Sequence, residues 1–444
     1  MWQRADVEQR AGNLPAAPSV ARTAVFMASN PGVRGRGVVA TVLPLFIALA
    51  FLMVGNGLIG SLLGVRADLE GFPTIVTGVV MTMYYGGFLL GSLTIPRWIS
   101  NVGHIRVFAG LAAMAAATAL TYSLFVNPVT WGGLRFIAGL AMSGLYVTVE
   151  SWLNARATNE TRGRLLSIYM VVVTLGLGLG ELLLGVADPI DPTLFIVAGI
   201  LISMAVVPLT LLKIPAPDEI VPVEVSVRAL TRTAPLGVVA VALSGAAGGA
   251  IFALGAFYAT RIGMEPGRVG VFMATALVGS LVTQYPLGYL SDRFPRRRVI
   301  FVVAVGAVLI ATVGVFVDPE SVWLFAVMAA YGSLAFPMYS LAVSLINDLL
   351  PEHQLVAAAG GIVFVYGIGS ISGPLATSVL MAVIGPVGFL WSLAAFFVPV
   401  AVYAVVRILT AVRPSQGRFI NLPPRSSTAA PVLANPRDDG VAER

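Results

Sequence analysis

The stretch GYLSDRFPRRRVI, residues 288–300, places one aspartate and four arginines between two long apolar runs. Such a cluster is unusual here, because only 11% of the 444 residues are charged and 57% are hydrophobic. A soluble protein carries about 25% charged residues, so this chain cannot cover a water-facing surface of its size. Lipid is the alternative solvent, and it requires helices with about 20 consecutive apolar residues. The composition therefore predicts an all-α, polytopic membrane protein.

Apolar runs separated by charged residues or by Pro/Gly turns predict twelve transmembrane helices in two sets of six. The first set covers 38–64, 72–96, 105–126, 130–153, 163–187 and 192–213. The second set covers 236–261, 267–290, 298–317, 321–348, 356–384 and 387–411. Two six-helix bundles are thus predicted at 37–213 and 236–411, joined by a cytoplasmic linker at 214–235. The end segments, 1–36 and 412–444, are predicted to be disordered cytoplasmic extensions.

The basic residues predict how these helices are oriented. With the N-terminus inside, 23 of the 27 Lys and Arg residues fall on the cytoplasmic side. Three, namely Arg66, Arg261 and Arg268, fall outside, and Arg135 lies within a span. This asymmetry predicts that both termini are cytoplasmic and that the protein lies in the inner membrane. The arginines of residues 288–300 then face the cytoplasm, and nucleic acid is not expected as a partner.

Several classes of function are excluded or disfavoured by what the sequence lacks. There is no cysteine and there are only two histidines, so disulfides, thiolate metal sites and His-rich metal sites are excluded. No GxxxxGK[ST] phosphate loop is present, which disfavours an ATP-driven pump. No cluster of catalytic side chains is evident, so we expect no enzyme activity, no cofactor and no metal.

An internal repeat links the two sets of helices. At an offset of 193 residues, four pairs of identical residues align without a gap: Tyr146 with Tyr339, Asn154 with Asn347, Gly176 with Gly369, and Gly180 with Gly373. Many secondary transporters are built from duplicated halves in lipid, with the solute site near the midplane between them. The repeat therefore predicts two pseudo-symmetric halves that rock about a central site.

These motifs resemble those of the major facilitator superfamily, and the resemblance covers most of the chain from about 38 to 411. Residues 288–300 are similar to its loop signature G-x-L-x-D-R-x-G-R-R, with Pro295 in place of the usual glycine. The motif positions are held by Gly288, Asp292, Arg293, Arg296 and Arg297. A degenerate first copy, GSLTIPRWISNVGHIR at 91–106, keeps Gly91, Arg97 and Arg106 but has Ile95 where the acid should be.

Two further signatures extend the resemblance. RFIAG, Arg135 to Gly139, resembles the R-x-x-x-G signature of helix four. GLGLGELLLG at 176–185 resembles the glycine-rich antiporter signature of helix five, with Glu181 where proline is expected. The stretches ESWLNARATNETRGRLLSIYM and PEHQLVAAAGG are close to the YcaD-like branch of the family. The resemblance implies a transporter that works by alternating access.

The resemblance also implies a cytoplasmic latch between the halves. In the family, the acid at the position of Asp292 sits near the positive N-terminus of a helix from the opposite half, here helix five. Glu150 is predicted to pair with Arg97 or Arg106, and Asp348 with Arg293 or Arg297. The alternative is that these arginines only anchor loops to anionic lipid headgroups.

Two ionisable residues fall inside spans, where charge is costly and often functional. Arg135 and Glu181 are each about 9–10 Å below the outer ends of helices four and five, at 1.5 Å per residue. We therefore predict that they share one polar pocket and pair, with Glu181 a candidate proton-coupling carboxylate. The alternatives are a static ion pair that fixes helix packing, or a Glu181 that faces lipid.

A set of amides and tyrosines is predicted to line the solute cavity, because a few hydrogen-bonding groups among apolar walls orient a ligand. They are Asn56, Tyr84, Tyr85, Tyr122, Gln284, Tyr331, Tyr339 and Tyr366. Any one of them could instead serve helix packing. Gly176, Gly180, Gly369, Gly373 and Pro374 are expected to shape helix packing in helices five and eleven.

Together, these patterns predict a secondary transporter that moves a small solute, is coupled to protons and acts as a monomer. Export is favoured over import because the glycine pattern of helix five resembles that of antiporters. The first alternative is a proton symporter that imports a small organic anion bound by Arg135. A non-transporting sensor or a lipid flippase on the same scaffold is the second alternative.

Overall fold

The computed structural model describes residues 31–157, 161–210, 227–350 and 355–410. Every regular element within these ranges is a helix. The twelve long helices are α1 Pro31–Leu69, α2 Thr74–Val102, α3 His104–Leu124, α4 Pro128–Arg156, α5 Arg162–Leu182, α6 Thr193–Met204, α7 Pro235–Arg261, α8 Pro266–Arg293, α9 Arg296–Val315, α10 Trp323–Leu349, α11 Leu355–Ile384 and α12 Gly388–Thr410. Below, α1–α6 are the first half and α7–α12 the second half.

Twelve helical stretches in the described residues are long and apolar enough to cross a bilayer, which confirms the predicted number. Two helices extend beyond their predicted spans, since α1 continues to Leu69 and α2 to Val102. The predicted span 192–213 is instead interrupted, because α6 ends at Met204 and a short helix, Val206–Thr210, follows it. Residues 1–30, 214–226 and 412–444, in the predicted extensions and linker, lie outside the described part of the chain.

Glycines let α2 and α4 approach backbone to backbone. A side chain at Gly139 of α4 would collide with the carbonyl oxygen of Tyr84 on α2. In the second half, a side chain at Gly332 of α10 would collide in the same way with the carbonyl of Ala276 on α8. The two glycines are 193 residues apart and the two carbonyls 192, so the halves repeat this contact almost residue for residue.

The glycines of the predicted repeat make a second equivalent pair of contacts. Gly180 of α5 packs on the carbonyl of Val54 on α1, and Gly373 of α11 packs on the carbonyl of Ala246 on α7. Small residues at such crossings allow close van der Waals packing, which is a main source of helix association in lipid. The predicted duplication into two pseudo-symmetric halves is therefore confirmed.

The two halves contact each other through α2 with α11 and through α5 with α8. These two contacts are themselves equivalent. A side chain at Gly78 of α2 would lie 3.4 Å from the carbonyl oxygen of Pro374, and Gly270 of α8 faces the carbonyl of Glu181. Both contacts lie near the helix ends that the distribution of basic residues assigns to the outside, which we call the outer ends.

We expect Gly139→Ala to lower the melting temperature of the protein in detergent, because the new methyl group must force α2 and α4 apart. Overpacking of this kind costs about 1–3 kcal/mol. Gly332→Ala should be destabilising to a similar degree, since it meets the equivalent carbonyl in the second half.

The matched control is Gly110→Ala on α3, where nothing lies within 4 Å of the added methyl group. Its melting temperature should be unchanged or higher, because replacing glycine by alanine in a helix restricts the unfolded chain. Equal effects at Gly139 and Gly110 would contradict the role assigned to the close backbone contact.

Candidate functional site

A cavity lies at the junction of the two halves, between α4 and α5 of the first and α7, α8, α10 and α11 of the second. It encloses about 750 Å³ of empty space, including the part open to solvent. We call it the central cavity. Its lining residues are Tyr146, Glu150, Tyr169, Met170, Val173, Thr174, Leu177, Phe252, Leu277, Ser280, Gln284, Phe336 and Tyr366.

The one ionisable carboxylate in that lining is Glu150 of α4. It is 2% exposed and accepts a hydrogen bond of 2.8 Å from the hydroxyl group of Tyr169 on α5. Asn154, one turn further along α4, donates to the backbone carbonyl of Glu150 over 3.0 Å. Both of these contacts come from the first half and help to hold Glu150 at the wall of the cavity.

The predicted partners of Glu150 were the loop arginines Arg97 and Arg106, and neither forms one of the ion pairs among the described residues. Both arginines are exposed, whereas Glu150 is buried and bonded to Tyr169. The reason is the length of α4, which continues to Arg156. Six residues of helix place Glu150 about 9 Å inside the end of α4, at 1.5 Å per residue, and so within the cavity rather than at the loop.

A second, smaller cavity of about 290 Å³ lies inside the first half. Its polar lining residues are Asn56, Tyr84, Thr118, Tyr122 and Arg135. The guanidinium of Arg135 lies 4.6 Å from the ring centre of Tyr84, and its side chain is 4% exposed. Within the described residues, the Nε of Arg135 and the hydroxyl of Tyr122 have no hydrogen-bond partner. Three other predicted site residues, Asn56, Tyr84 and Tyr122, thus meet around Arg135, in a chamber separate from the central cavity.

The predicted pairing of Arg135 with Glu181 was wrong. The ion pairs among the described residues do not include it, and Glu181 is absent from the lining of either cavity. The two residues are at similar depth, but their helices have different packing partners. α4 packs on α2 and α3, whereas α5 packs on α8 and, through Gly180, on α1.

Glu181 is nevertheless buried, with 2% of its surface exposed. Its backbone carbonyl faces Gly270 on α8. Its equivalent in the second half is Pro374, 193 residues later, whose carbonyl faces Gly78. Glu181 therefore places a carboxyl group at a contact between the halves, where the second half has proline.

The remaining predicted tyrosines divide between cavity and core. Tyr366 lines the central cavity, and the ring of Tyr339 lies 5.1 Å from it, edge to face. Tyr85 spans the halves by donating a hydrogen bond of 3.3 Å to the carbonyl of Gly249 on α7. Tyr331 instead donates to the carbonyl of Leu393 on α12 over 2.9 Å. It therefore joins α10 to α12, and its predicted place in the cavity was wrong.

One arginine of the stretch at residues 288–300, Arg296, forms a buried ion pair. Arg296, at the start of α9, is 2% exposed, and its Nε lies 2.8 Å from a carboxyl oxygen of Asp348 at the end of α10. Asp292, at the end of α8, is 3.8 Å from Arg296. Arg296, rather than the predicted Arg293 or Arg297, forms the described ion pair with Asp348, although Arg297 is also buried at the start of α9. The guanidinium of Arg293 lies 4.4 Å from the ring centre of Tyr289.

The glycines of the two loop signatures are packing residues. A side chain at Gly91 would come within 2.8 Å of the carbonyl of Leu140 on α4, and Gly288 is buried in α8.

Sequence reasoning missed several residues of the central cavity. Phe252 and Phe336 line it but had no polar or repeat signal to mark them, and Tyr169, a tyrosine like those predicted, was overlooked. Tyr146 did have one, since it aligns with Tyr339 in the repeat; its hydroxyl donates to the sulfur of Met53 over 3.0 Å.

At the outer ends, a charged pair connects the halves. The guanidinium of Arg261 on α7 pairs with the carboxylate of Asp68 on α1, and it also donates to the carbonyl of Phe72 over 3.3 Å. Asp68 and Arg261 are 193 residues apart, so they occupy equivalent positions in the repeat and meet where the halves face each other. Beside them, a side chain at Gly64 would lie 3.1 Å from the backbone nitrogen of Phe257.

Comparison with known proteins extends these observations. The sequence matches the model of the Major Facilitator Superfamily over residues 45–252 and 236–437. It is 29% identical over 344 residues to the "Uncharacterized MFS-type transporter YcaD" of Salmonella arizonae, covering 76% of this chain and 88% of that protein. It is 30% identical over 347 residues to an uncharacterized MFS-type transporter of Enterobacter sp. (strain 638), covering 77% and 88%.

Two solved structures share the fold at low sequence identity. The nucleoside transporter NupG superimposes with a TM-score of 0.71 at 14% identity, covering 83% of this chain and 98% of that one. A bacterial homolog of the human lysosomal transporter Spinster, in an inward-facing and occupied conformation, gives 0.68 at 15% identity, covering 88% and 100%. With two equivalent six-helix halves about a central cavity and the family model matched along most of its length, the chain belongs to the Major Facilitator Superfamily, a family of transporters.

Proposed function

We propose that this transporter binds a small solute in the central cavity and carries it across the inner membrane by alternating access, coupled to protons. The observation that carries the proposal is that both halves line this cavity, Glu150 and Tyr169 from the first and Gln284 and Tyr366 from the second. A rocking motion of one half against the other would expose those groups to each side in turn. Export is the expected direction of transport. We expect the protein to act as a monomer, because a single chain lines the cavity.

The contacts between the halves suggest which state is present. Asp68 with Arg261, Gly78 with Pro374 and Gly270 with Glu181 all lie at the outer ends. Glu150 and Gln284 lie in the cytoplasmic halves of their helices. We therefore assign an inward-facing state, closed on the outside, which is also the state named for the Spinster homolog.

The geometry does not support the alternative in which the protein is a symporter that imports a small organic anion. Its anion ligand would be Arg135, which lines the chamber within the first half rather than the cavity between the halves. A solute at Arg135 would be enclosed by helices of a single half, so relative motion of the two halves would not by itself expose it.

We expect Asp68→Asn and Arg261→Gln each to shift the population toward states open on the outside. Each change removes the ion pair that joins α1 to α7 at the outer end, and partly exposed pairs of this kind contribute about 0.2–1 kcal/mol. The chain has no cysteine, so spin labels can be attached at Phe125→Cys and Phe316→Cys, two exposed positions on the outer side of the two halves. Electron–electron distance measurements should show a larger fraction of long distances in both variants.

Arg268→Gln is the matched control, because the polar contacts described for this outer arginine, with the carbonyl of Glu320 and the ring of Phe325, lie within its own half. It should leave the distance distribution unchanged. The charge-swapped variant with Asp68→Arg and Arg261→Asp should restore the closed population. An unchanged distribution in both single variants would remove the gating role of this pair.

We expect Glu181→Gln to abolish flux driven by a proton gradient while leaving solute exchange at equal pH intact. The carboxyl group is buried at the contact of α5 with α8, so opening the outer side would change its access to water. A buried carboxyl group that alternates between two such environments can take up and release a proton. The measurement is solute flux in proteoliposomes with and without an imposed pH gradient.

Glu265→Gln, an exposed acid at the outer start of α8, is the control and should transport normally. Fully proton-driven flux in Glu181→Gln would show that the coupling carboxylate lies elsewhere.

Asp292 retains its proposed role as a latch for the state that is closed on the inside. In that state its carboxylate would approach the N-terminus of α5, a contact that contributes about 0.3–2 kcal/mol depending on burial. We therefore expect Asp292→Asn to raise the inward-facing population, measured between labels at Asn101→Cys and Arg298→Cys on the inner side. Asp318→Asn on the outer side is the control, and identical populations in the wild type and Asp292→Asn would end the latch hypothesis.

A further inference from the structure

A buried guanidinium group lies in the smaller cavity, the chamber inside the first half, without a carboxylate partner. Arg135 of α4 is 4% exposed, and no ion pair among the described residues includes it. Of the described residues that line the chamber, none is Asp or Glu. A charge inside a protein is costly unless an opposite charge and hydrogen bonds compensate it. An anion in the chamber would supply that compensation.

The chamber offers hydrogen-bond donors to such an anion. The Nε of Arg135 and the hydroxyl of Tyr122 on α3 are buried and have no hydrogen-bond partner in the part of the chain that the structure describes. Asn56 of α1 adds its amide group to the lining. The ring of Tyr84 lies 4.6 Å from the guanidinium and attracts it, but the ring has no net charge of its own. Donors from α1, α3 and α4 thus meet in one small space, and the charged donor makes the strongest bonds to an anion.

Neighbouring contacts hold these donors in place. The indole N–H of Trp131 on α4 donates a hydrogen bond of 3.1 Å to the backbone carbonyl of Tyr122, so α4 fixes the end of α3. Gly139, one turn along α4 from Arg135, lets the backbone of Tyr84 on α2 come close. The donors are therefore positioned before an anion arrives, which lowers the entropic cost of binding it.

The second half packs the equivalent position without a charge. Met328 of α10 lies 193 residues after Arg135, at the offset of the repeat, and is 1% exposed. Gly249 of α7 stands in the same relation to Asn56. A half with this arrangement of helices thus packs with an apolar residue at the position of Arg135. The charge in the first half is therefore not a requirement of the fold.

The size and the walls of the chamber favour a monatomic anion. Its empty space of about 290 Å³, including the part open to solvent, is below the usual range for sites that hold drug-sized molecules, about 300–1,000 Å³. Ala115, Ala119 and Ala138 make its walls apolar between the donors. A sulfate ion or an organic carboxylate would place oxygen atoms against these walls without partners. A halide ion has no further polar atoms to satisfy.

We propose that this chamber binds a chloride ion, held by the guanidinium of Arg135, the hydroxyl of Tyr122 and the amide of Asn56. Only helices of the first half line the chamber, namely α1, α2, α3, α4 and α6. The ion therefore stays with that half and stabilises it by joining these helices. It is a resident ion and not the transported solute, so the site does not depend on the function proposed for the central cavity.

The test measures the response of the purified full-length protein in detergent to chloride. The melting temperature is followed while sodium gluconate is replaced by sodium chloride at constant ionic strength. We expect it to rise with the logarithm of the chloride concentration, because a ligand that binds only the folded state stabilises that state. Bromide should act as chloride does, and sulfate should not. A melting temperature that does not depend on chloride would overturn the proposal.

Arg135→Met gives the first half the residue that the second half has at the equivalent position, Met328. Replacing a buried charge by an apolar side chain of similar size often preserves or raises stability. The melting temperature of this variant in gluconate should therefore equal or exceed that of the wild type, and its response to chloride should be lost. A full response to chloride in Arg135→Met would overturn the assignment of the ion to the chamber.

Tyr122→Phe keeps the ring of Tyr122 and removes one donor, and it decides the question if Arg135→Met does not fold. It should weaken the affinity for chloride by about tenfold, measured from the broadening of the chloride nuclear magnetic resonance signal by the protein. Arg268→Gln, an exposed arginine outside the chamber, is the control and should keep the full affinity. Unchanged affinity in Tyr122→Phe would contradict the site. These measurements involve no transport, so a failure of the chloride site would leave the proposed function standing.

Discussion

Close backbone contact at glycines holds each half of this protein together. Lipid tails are as apolar as the side chains they surround, so helices in a bilayer gain little from burying apolar surface and must pack tightly instead. Gly139 on α4 and Gly180 on α5 supply that contact in the first half, and Gly332 and Gly373 supply it in the second. Each pair of equivalent glycines meets an equivalent carbonyl, so the same packing is built twice.

The location of these contacts also separates what is rigid from what can move. Within a half, backbones touch along extended stretches of α1 with α5 and of α2 with α4. Between the halves, several contacts lie near the outer ends, among them the ion pair of Asp68 with Arg261, and Tyr85 joins α2 to α7 nearer the middle. An interface of that kind can open by the loss of a few contacts, which is the requirement of alternating access about the cavity behind it.

Some buried charged residues join helices within one half, and others lie where the two halves meet. Arg296 and Asp348 form an ion pair within the second half that ties α9 to α10, and separating it would leave a buried charge without compensation. Glu150 lies instead at the wall of the cavity, and Glu181 lies at the contact between α5 and α8. Charges that connect helices of one half stabilise the fold, whereas charges that face the cavity or the contact between halves can respond to a solute, a proton or a motion.

The sequence by itself determined the class of fold, the number of helices and the duplication. Those properties follow from composition, from the length of apolar runs and from a fixed offset between repeated glycines, all of which are encoded along the chain. Only the tertiary structure decided which ionisable groups meet. Arg135 and Glu181 share a depth but not a neighbour, and Glu150 lies in the cavity rather than at a loop, because the direction of a side chain depends on the rotation of its helix and on the helix that packs against it.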